Sequence, residues 1–178
     1  MSALSAAVAA SLTEMVANLT IGKKGYEGVS EEMKAIAVKA AASREKMTAA
    51  IDRDADAYQQ VVTAFKLPKD TDAQKAERSG AIQDALKSAA LIPLEAAKES
   101  LAIMELAGQA LAKGNKNAYS DAAVAVMHAR TATLGALYNV NINLADIKDP
   151  LFVSEIGKEA GGLEKTVRDR EKQLLKVD

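Results

Sequence analysis

Between Ser30 and about Lys66 the chain holds no proline, no glycine and no two-residue alternation, only apolar residues recurring three and four apart. A stretch of that length and rhythm has one regular solution in water, a long α-helix with an apolar stripe. Its flanks agree. Ser30 followed by Glu31 and Glu32 is a helix start, a capping hydroxyl with acids in the first turn. Leu67-Pro68-Lys69-Asp70 is a turn, and Thr71 with Gln74 forms a capping box for the next helix. That helix is expected to reach about Lys113, where Gly114 ends it, and Pro93 inside it is expected to kink or split it. Ala3 to about Thr20 reads as an Ala-rich first helix with Leu4, Val8, Met15 and Leu19 near one face. A glycine-bracketed loop, Gly22 to Gly28, follows it. A fourth helix runs to about Leu144 after the polar entry Asn115–Asp121, and Asp149-Pro150 opens a last, charged helix to about Val177. The expected fold is all-α: an antiparallel bundle of about five long helices with short turns, in a single domain over residues 1–178.

With 23 basic and 24 acidic residues the net charge is -1, which gives no electrostatic footprint for nucleic acid or an anionic membrane. Aromatic content is 3%, so the core must be filled by Ala, Leu, Ile, Val and Met, which suits closely packed helices. The absence of cysteine excludes disulfides, thiolate nucleophiles and Cys-ligated zinc, and fits a cytoplasmic location. Ala3–Leu12 is apolar but lacks a basic flank and soon meets Glu14, so it does not read as a secretory signal. No run approaches the ~18 apolar residues of a membrane span.

Polar residues stand where the stripes predict core. Met47, Ile51, Tyr58, Val61 and Phe65 leave one place open, and Asp54 fills it. A carboxylate at a core-facing position is costly unless paired or kept neutral. Arg78 precedes the stripe Ile82, Ala85 or Leu86, and Ala89, where it pairs with an acid inside the fold or meets an anionic ligand. Ala125, Ala129, Ala132 and Ala136 continue into Asn139 and Asn143; buried amides need partners, so these two bridge helices or bind a heterocycle. The pattern favours bridging. His128, the sole histidine, lies on the stripe Asp121, Val124, Thr131, Gly135 and Tyr138 as a candidate base or a satisfied core residue. One histidine without cysteine offers no transition-metal set, and no E-x-x-H pattern supports a di-iron bundle. No nucleotide-binding glycine loop or nucleophile elbow is present.

Taken in order, several short motifs resemble the cyclodeaminase family of folate enzymes. This family includes the cyclodeaminase part of formiminotransferase-cyclodeaminase and stand-alone methenyltetrahydrofolate cyclohydrolases. The stretches are Met15-Val16-Ala17-Asn18-Leu19-Thr20-Ile21-Gly22-Lys23-Lys24 with Tyr26, Asp52-x-Asp54-Ala55 with Tyr58, Leu67-Pro68-Lys69, Arg78 and Ile92-Pro93-Leu94. Gly114-Asn115 then leads to Ser120-Asp121, and Tyr138-Asn139-Val140-Asn141-Ile142-Asn143-Leu144 precedes Asp149 and Phe152. Each is weak alone; their order and spacing over about residues 3–155 are specific. The resemblance departs at the start, where a P-G-G-G-S-type loop is expected before the first helix and the chain reads Met1-Ser2-Ala3-Leu4-Ser5. If that loop walls the folate site, binding or catalysis is expected to be impaired. His128 matches no motif residue.

The resemblance implies closure of 5-formiminotetrahydrofolate to 5,10-methenyltetrahydrofolate with loss of ammonia, or hydrolysis of the methenyl bridge to 10-formyltetrahydrofolate. It implies Asp54 as the proton-transferring carboxyl with Asp121 as second candidate, and Lys23 and Arg78 toward substrate carboxylates or the acid's charge. Asn139 and Asn143 are implied at the pterin edge, Tyr26 against a ring, and Ser120 as a further substrate contact. No cofactor beyond tetrahydrofolate itself and no metal is expected, and a homodimer is. The competing expectation is a non-catalytic helical interaction module whose polar seam residues only fix register.

Overall fold

A computed structural model describes residues 1–176 and consists of five helices: α1 (Ser2–Asn18), α2 (Ser30–Phe65), α3 (Asp72–Lys113), α4 (Tyr119–Leu144) and α5 (Pro150–Leu175). Short 3-10 turns at Glu27–Val29 and Lys116–Ala118 lead into α2 and α4, and no strand occurs among the described residues. The end of α5 falls at Leu175; Val177, where the sequence placed it, lies outside the described residues.

The caps explain most of the boundaries. Thr71 accepts from the N–H of Gln74 while the Gln74 side chain returns to the Thr71 N–H, the expected capping box. Asp149 accepts from the N–H groups of Leu151 and Phe152, with Pro150 at the first helical position. Ser30 does not cap α2; the preceding 3-10 turn delivers the chain already helical, with Val29 in the capping place and no side-chain bond.

Helix α4 lies at the centre, packed most extensively on α3 and also on α1 and α5. Its alanine stripe is real: Ala125, Ala129, Ala132 and Ala136 are all buried, which lets neighbouring helices approach closely. Around it Met47, Ile103 and Met104 are fully buried, each contributing roughly 1.5–3 kcal/mol through apolar burial. Helix α1 runs antiparallel to α4, with Ser5 beside His128 and Val16 beside Gly114. At the start of α1 a Cβ on Gly135 would stand 2.7 Å from Ser2 Oγ, so the glycine leaves room for that hydroxyl.

Pro93 neither ends nor splits α3, which is continuous from Asp72 to Lys113. A proline inside a helix leaves the carbonyl four residues earlier without its N–H donor. Here that carbonyl belongs to Ala89, and Asn143 Nδ2 of α4 donates to it at 2.9 Å. The orphan acceptor created in one helix is thus satisfied from the next.

Candidate functional site

The buried line of α2 passes through Met47, Ala50, Ala57 and Ala64. Asp54 holds the place between Ala50 and Ala57 in that seam, yet it is exposed. The reason is that α2, α3 and α4 part at this level and leave a groove. Its wider part, about 490 Å³, lies between Tyr58 and Phe65 of α2, Leu86 and Ala89 of α3, and Ile142 and Asn143 of α4. A tighter recess of about 100 Å³ adjoins it beneath Met1–Ala3, Ile92 and Pro93. Ile51, Asp54 and Asn139 line both parts.

This corrects the sequence expectation of a carboxyl enclosed in an apolar core. The large residues thought to form a core stripe, Ile51, Tyr58 and Phe65, are 42%, 70% and 50% exposed; they are groove walls. The helices are joined instead by the small alanines beside them. Sequence pattern located the seam but gives no sign of where a seam opens, because that depends on the splay of three helices.

Arg78 does not enter a seam. Its Nε and Nη2 donate to the Phe65 carbonyl at 3.3 and 3.1 Å, and its guanidinium lies 5.6 Å from the Phe65 ring. It satisfies an orphan carbonyl at the C-terminus of α2 and holds the ring that closes the far end of the groove. Asn143 lines the groove while its Nδ2 bridges to Ala89, as the amide pattern favoured; its Oδ1 remains an acceptor. Asn139 is half-buried in the narrow part. Sequence reasoning did not single out Asp146, which adds a second carboxylate to the groove lining. No lysine or arginine lines either part.

The other candidates lie at the opposite end of the bundle. Lys23 Nζ donates to Asn115 Oδ1 at 2.7 Å, and Tyr26 Oη accepts from the Lys116 N–H at 3.0 Å. Asn115, buried though not predicted as a site residue, also takes the Asn117 N–H on its Oδ1 and donates its Nδ2 to the Leu19 carbonyl. Its place in the Gly114-Asn115 motif was the available signal. The loop is shaped by Gly22 and Gly25 at φ +69° and +88°, a region that favours glycine. Glu27 accepts from the Gly25 N–H, which holds its carboxyl below the ordinary value. Ser120 is exposed and Asp121 half-buried in the first turn of α4. Asp121 and Asn139 are 18 residues apart on α4, about 27 Å at 1.5 Å per residue. Within one chain, therefore, Asp54, Asn139 and Asn143 form one group, and Lys23, Tyr26, Ser120 and Asp121 another. His128 belongs to neither; Ser5 Oγ lies 3.1 Å from its Nδ1 in the α1–α4 contact.

Among the described residues no group of three His, Asp or Glu could hold a metal ion, and no helix is long and apolar enough to cross a membrane. The fold and groove define a helical-bundle protein with an open, acidic, amide-lined cleft. Residues 1–161 match the family described as formiminotransferase-cyclodeaminase, and the chain belongs to that family. It is 40% identical over 161 residues to a methenyltetrahydrofolate cyclohydrolase of Methylorubrum extorquens, covering 90% of this chain and 77% of that one. It is 36% identical over 162 residues to the formimidoyltransferase-cyclodeaminase of Sus scrofa, again over 90% of this chain but only 30% of that longer protein. A crystal structure of formiminotetrahydrofolate cyclodeaminase from Thermotoga maritima superposes with a TM-score of 0.86 at 30% identity, covering 98% of this chain and 85% of the other. The expected all-α bundle and family resemblance both hold.

Proposed function

We propose that this chain is a folate one-carbon enzyme that closes 5-formiminotetrahydrofolate to 5,10-methenyltetrahydrofolate and releases ammonia at the α2–α3–α4 groove. The observation that carries the reading is the presence of Asp54 and Asn139 together in both parts of a groove lined by carboxylates and amides without a cation. The protonated formimino group is an amidinium, and the methenyl bridge is one too. The reacting centre therefore carries positive charge from substrate to product, and Asp54 and Asp146 complement it throughout. As N10 bonds to the formimino carbon, the N10 proton must leave and the departing NH₂ must gain one. A single carboxylate that takes the first proton and gives it to the second nitrogen balances the step and expels ammonia. Asn139 and the Oδ1 of Asn143 supply hydrogen bonds to a pterin edge, and Tyr58 and Phe65 supply flat apolar walls. The reaction asks for no metal or nucleotide.

The second reading is hydrolysis of the methenyl bridge, favoured by the 40% identity to the bacterial cyclohydrolase. There the same carboxylate deprotonates a water attacking the bridge carbon, and cleavage to N5 leaves 10-formyltetrahydrofolate. Both readings place the chain in the cytoplasm as a homodimer. The test is to incubate the purified protein with 5-formiminotetrahydrofolate and, separately, 5,10-methenyltetrahydrofolate, following methenyl absorbance and ammonia. Ammonia-coupled methenyl formation is expected. Hydrolysis without ammonia-releasing turnover selects the second reading, and no turnover or binding of either folate sinks both.

A further inference from the structure

Two asparagines stand one turn apart on the groove side of α4, and the fold holds them differently. Asn139 and Asn143 are both half-buried, and both line the groove. Asn143 Nδ2 donates to the Ala89 carbonyl at 2.9 Å. The Asn139 side chain has no hydrogen bond within the protein among the described residues. A side-chain amide has two ends of nearly equal shape, and turning it over exchanges an acceptor for a donor. Asn139 is free to make that turn.

Asn143 is not, and the reason lies in α3. Pro93 has no N–H, so the Ala89 carbonyl one turn before it lacks its helical donor, and Ala89 is buried. Turning the Asn143 amide would set oxygen against oxygen and take away the donor that this carbonyl depends on. At the other end of the amide, Oδ1 accepts from no protein group among the described residues. The side-chain polar atom that is both enclosed and unpartnered among those residues is Arg130 Nε, far from this place in the sequence. Asn143 Oδ1 is therefore open to the groove.

We propose that Pro93 is a positioning residue for ligand recognition. By orphaning the Ala89 carbonyl it holds Asn143 with its oxygen toward the groove. The place held by that oxygen then accepts from a ligand N–H and refuses a ligand carbonyl or ring nitrogen, while Asn139 adapts to either. The ligand assignment rests on the folate reading. A reduced pterin carries its lactam N–H and 2-amino group side by side, with the lactam oxygen next to them. A fixed acceptor selects the donor pair and so sets which way round the ring lies. A ring laid the other way would carry N5, and the carbon bonded to it, away from Asp54.

The lock can be read without any folate. In protein carrying isotope-labelled asparagine, the bonded side-chain N–H of Asn143 should exchange with water at least about tenfold more slowly than those of Asn139. In Pro93→Ala the backbone N–H of residue 93 returns to Ala89, and the difference should vanish. Equal exchange in the wild type, or a difference that survives Pro93→Ala, overturns the lock. Turnover tests its use. Once freed, the amide has two directions in each of two helical rotamers, so Pro93→Ala should raise the KM for 5-formiminotetrahydrofolate about fourfold and leave kcat within about twofold. A carboxylate is an acceptor whichever way it turns, so adding Asn143→Asp to Pro93→Ala should return KM to within about twofold of wild type. Asn143→Asp alone sets a carboxylate against the orphan carbonyl and should raise KM, as should Asn143→Leu in either background. A proline that only shapes the recess would give no such rescue. An unchanged KM in Pro93→Ala, or no recovery with aspartate, overturns the proposal. If the wild type turns over neither folate while the exchange difference is present and Pro93→Ala removes it, the folate reading fails and the lock on Asn143 stands.

Discussion

Asp54 and Asn143 each occupy a seam position, and each is used differently. Asp54 meets solvent in the groove; the expected result for Asp54→Asn is a loss of about 10²-fold or more in kcat, the usual scale for a removed acid–base group, with unchanged helical circular dichroism. Near-wild-type turnover would remove it from the chemistry. Asn143 is tied to the Ala89 carbonyl that Pro93 leaves without a donor. Asn143→Leu should therefore cost about 1–3 kcal/mol in urea unfolding, the penalty of an unsatisfied buried acceptor. In a Pro93→Ala background, where the backbone N–H can return to Ala89, the same substitution should cost distinctly less. Equal costs in both backgrounds would break the link between the two residues. The register of Asp54 was legible because a heptad place is a local property. Its exposure was not, since nothing near residue 54 records that α3 and α4 draw apart there.

Helix ends were the most legible elements, because caps are written in four or five consecutive residues. The Thr71–Gln74 box is an example, and Thr71→Ala should cost roughly 1 kcal/mol, read as a lower urea midpoint at constant slope. The fate of Pro93 was not legible in the same way, because its compensation comes from a side chain 50 residues downstream. Helix α5 carries an acid-sensitive start. Lys87 Nζ, 2.8 Å away, and the N–H of Phe152 hold the Asp149 carboxyl below its ordinary value of 3.8. A depressed folded-state value means this stabilisation is complete above pH 3.8 and is lost as pH falls through the lower folded value. Hydrogen exchange below pH 3.8 should show α5 opening before the α3–α4 pair, and Asp149→Asn should make that opening less dependent on pH. Simultaneous opening of all helices in wild type would refute this.

At the scale of the whole molecule, Leu4, Val8, Met15 and Leu19 of α1 remain partly exposed in a bundle otherwise packed by alanine, and with the proposed homodimer this predicts coupling between folding and association. The apparent Tm should rise with protein concentration, as mass action requires when only the folded chain pairs; a concentration-independent Tm would argue for a stable monomer. The candidate residues were legible in the sequence as members of one site, but their division into two distant groups was not, because motifs read in order carry no information about which end of the bundle each one occupies.

The alanine seam has a consequence for how such proteins diversify. In α2 the buried alanines Ala50, Ala57 and Ala64 hold the helices together, and the large side chains that extend the groove wall into solvent are Ile51, Tyr58 and Phe65. Exposed wall residues are replaceable at little cost to folding. Mutational drift along that wall can reshape whether N10 is held against a formimino carbon or a water against a methenyl carbon without passing through unfolded intermediates. A single scaffold can in this way give rise to both a deaminating and a hydrolytic lineage.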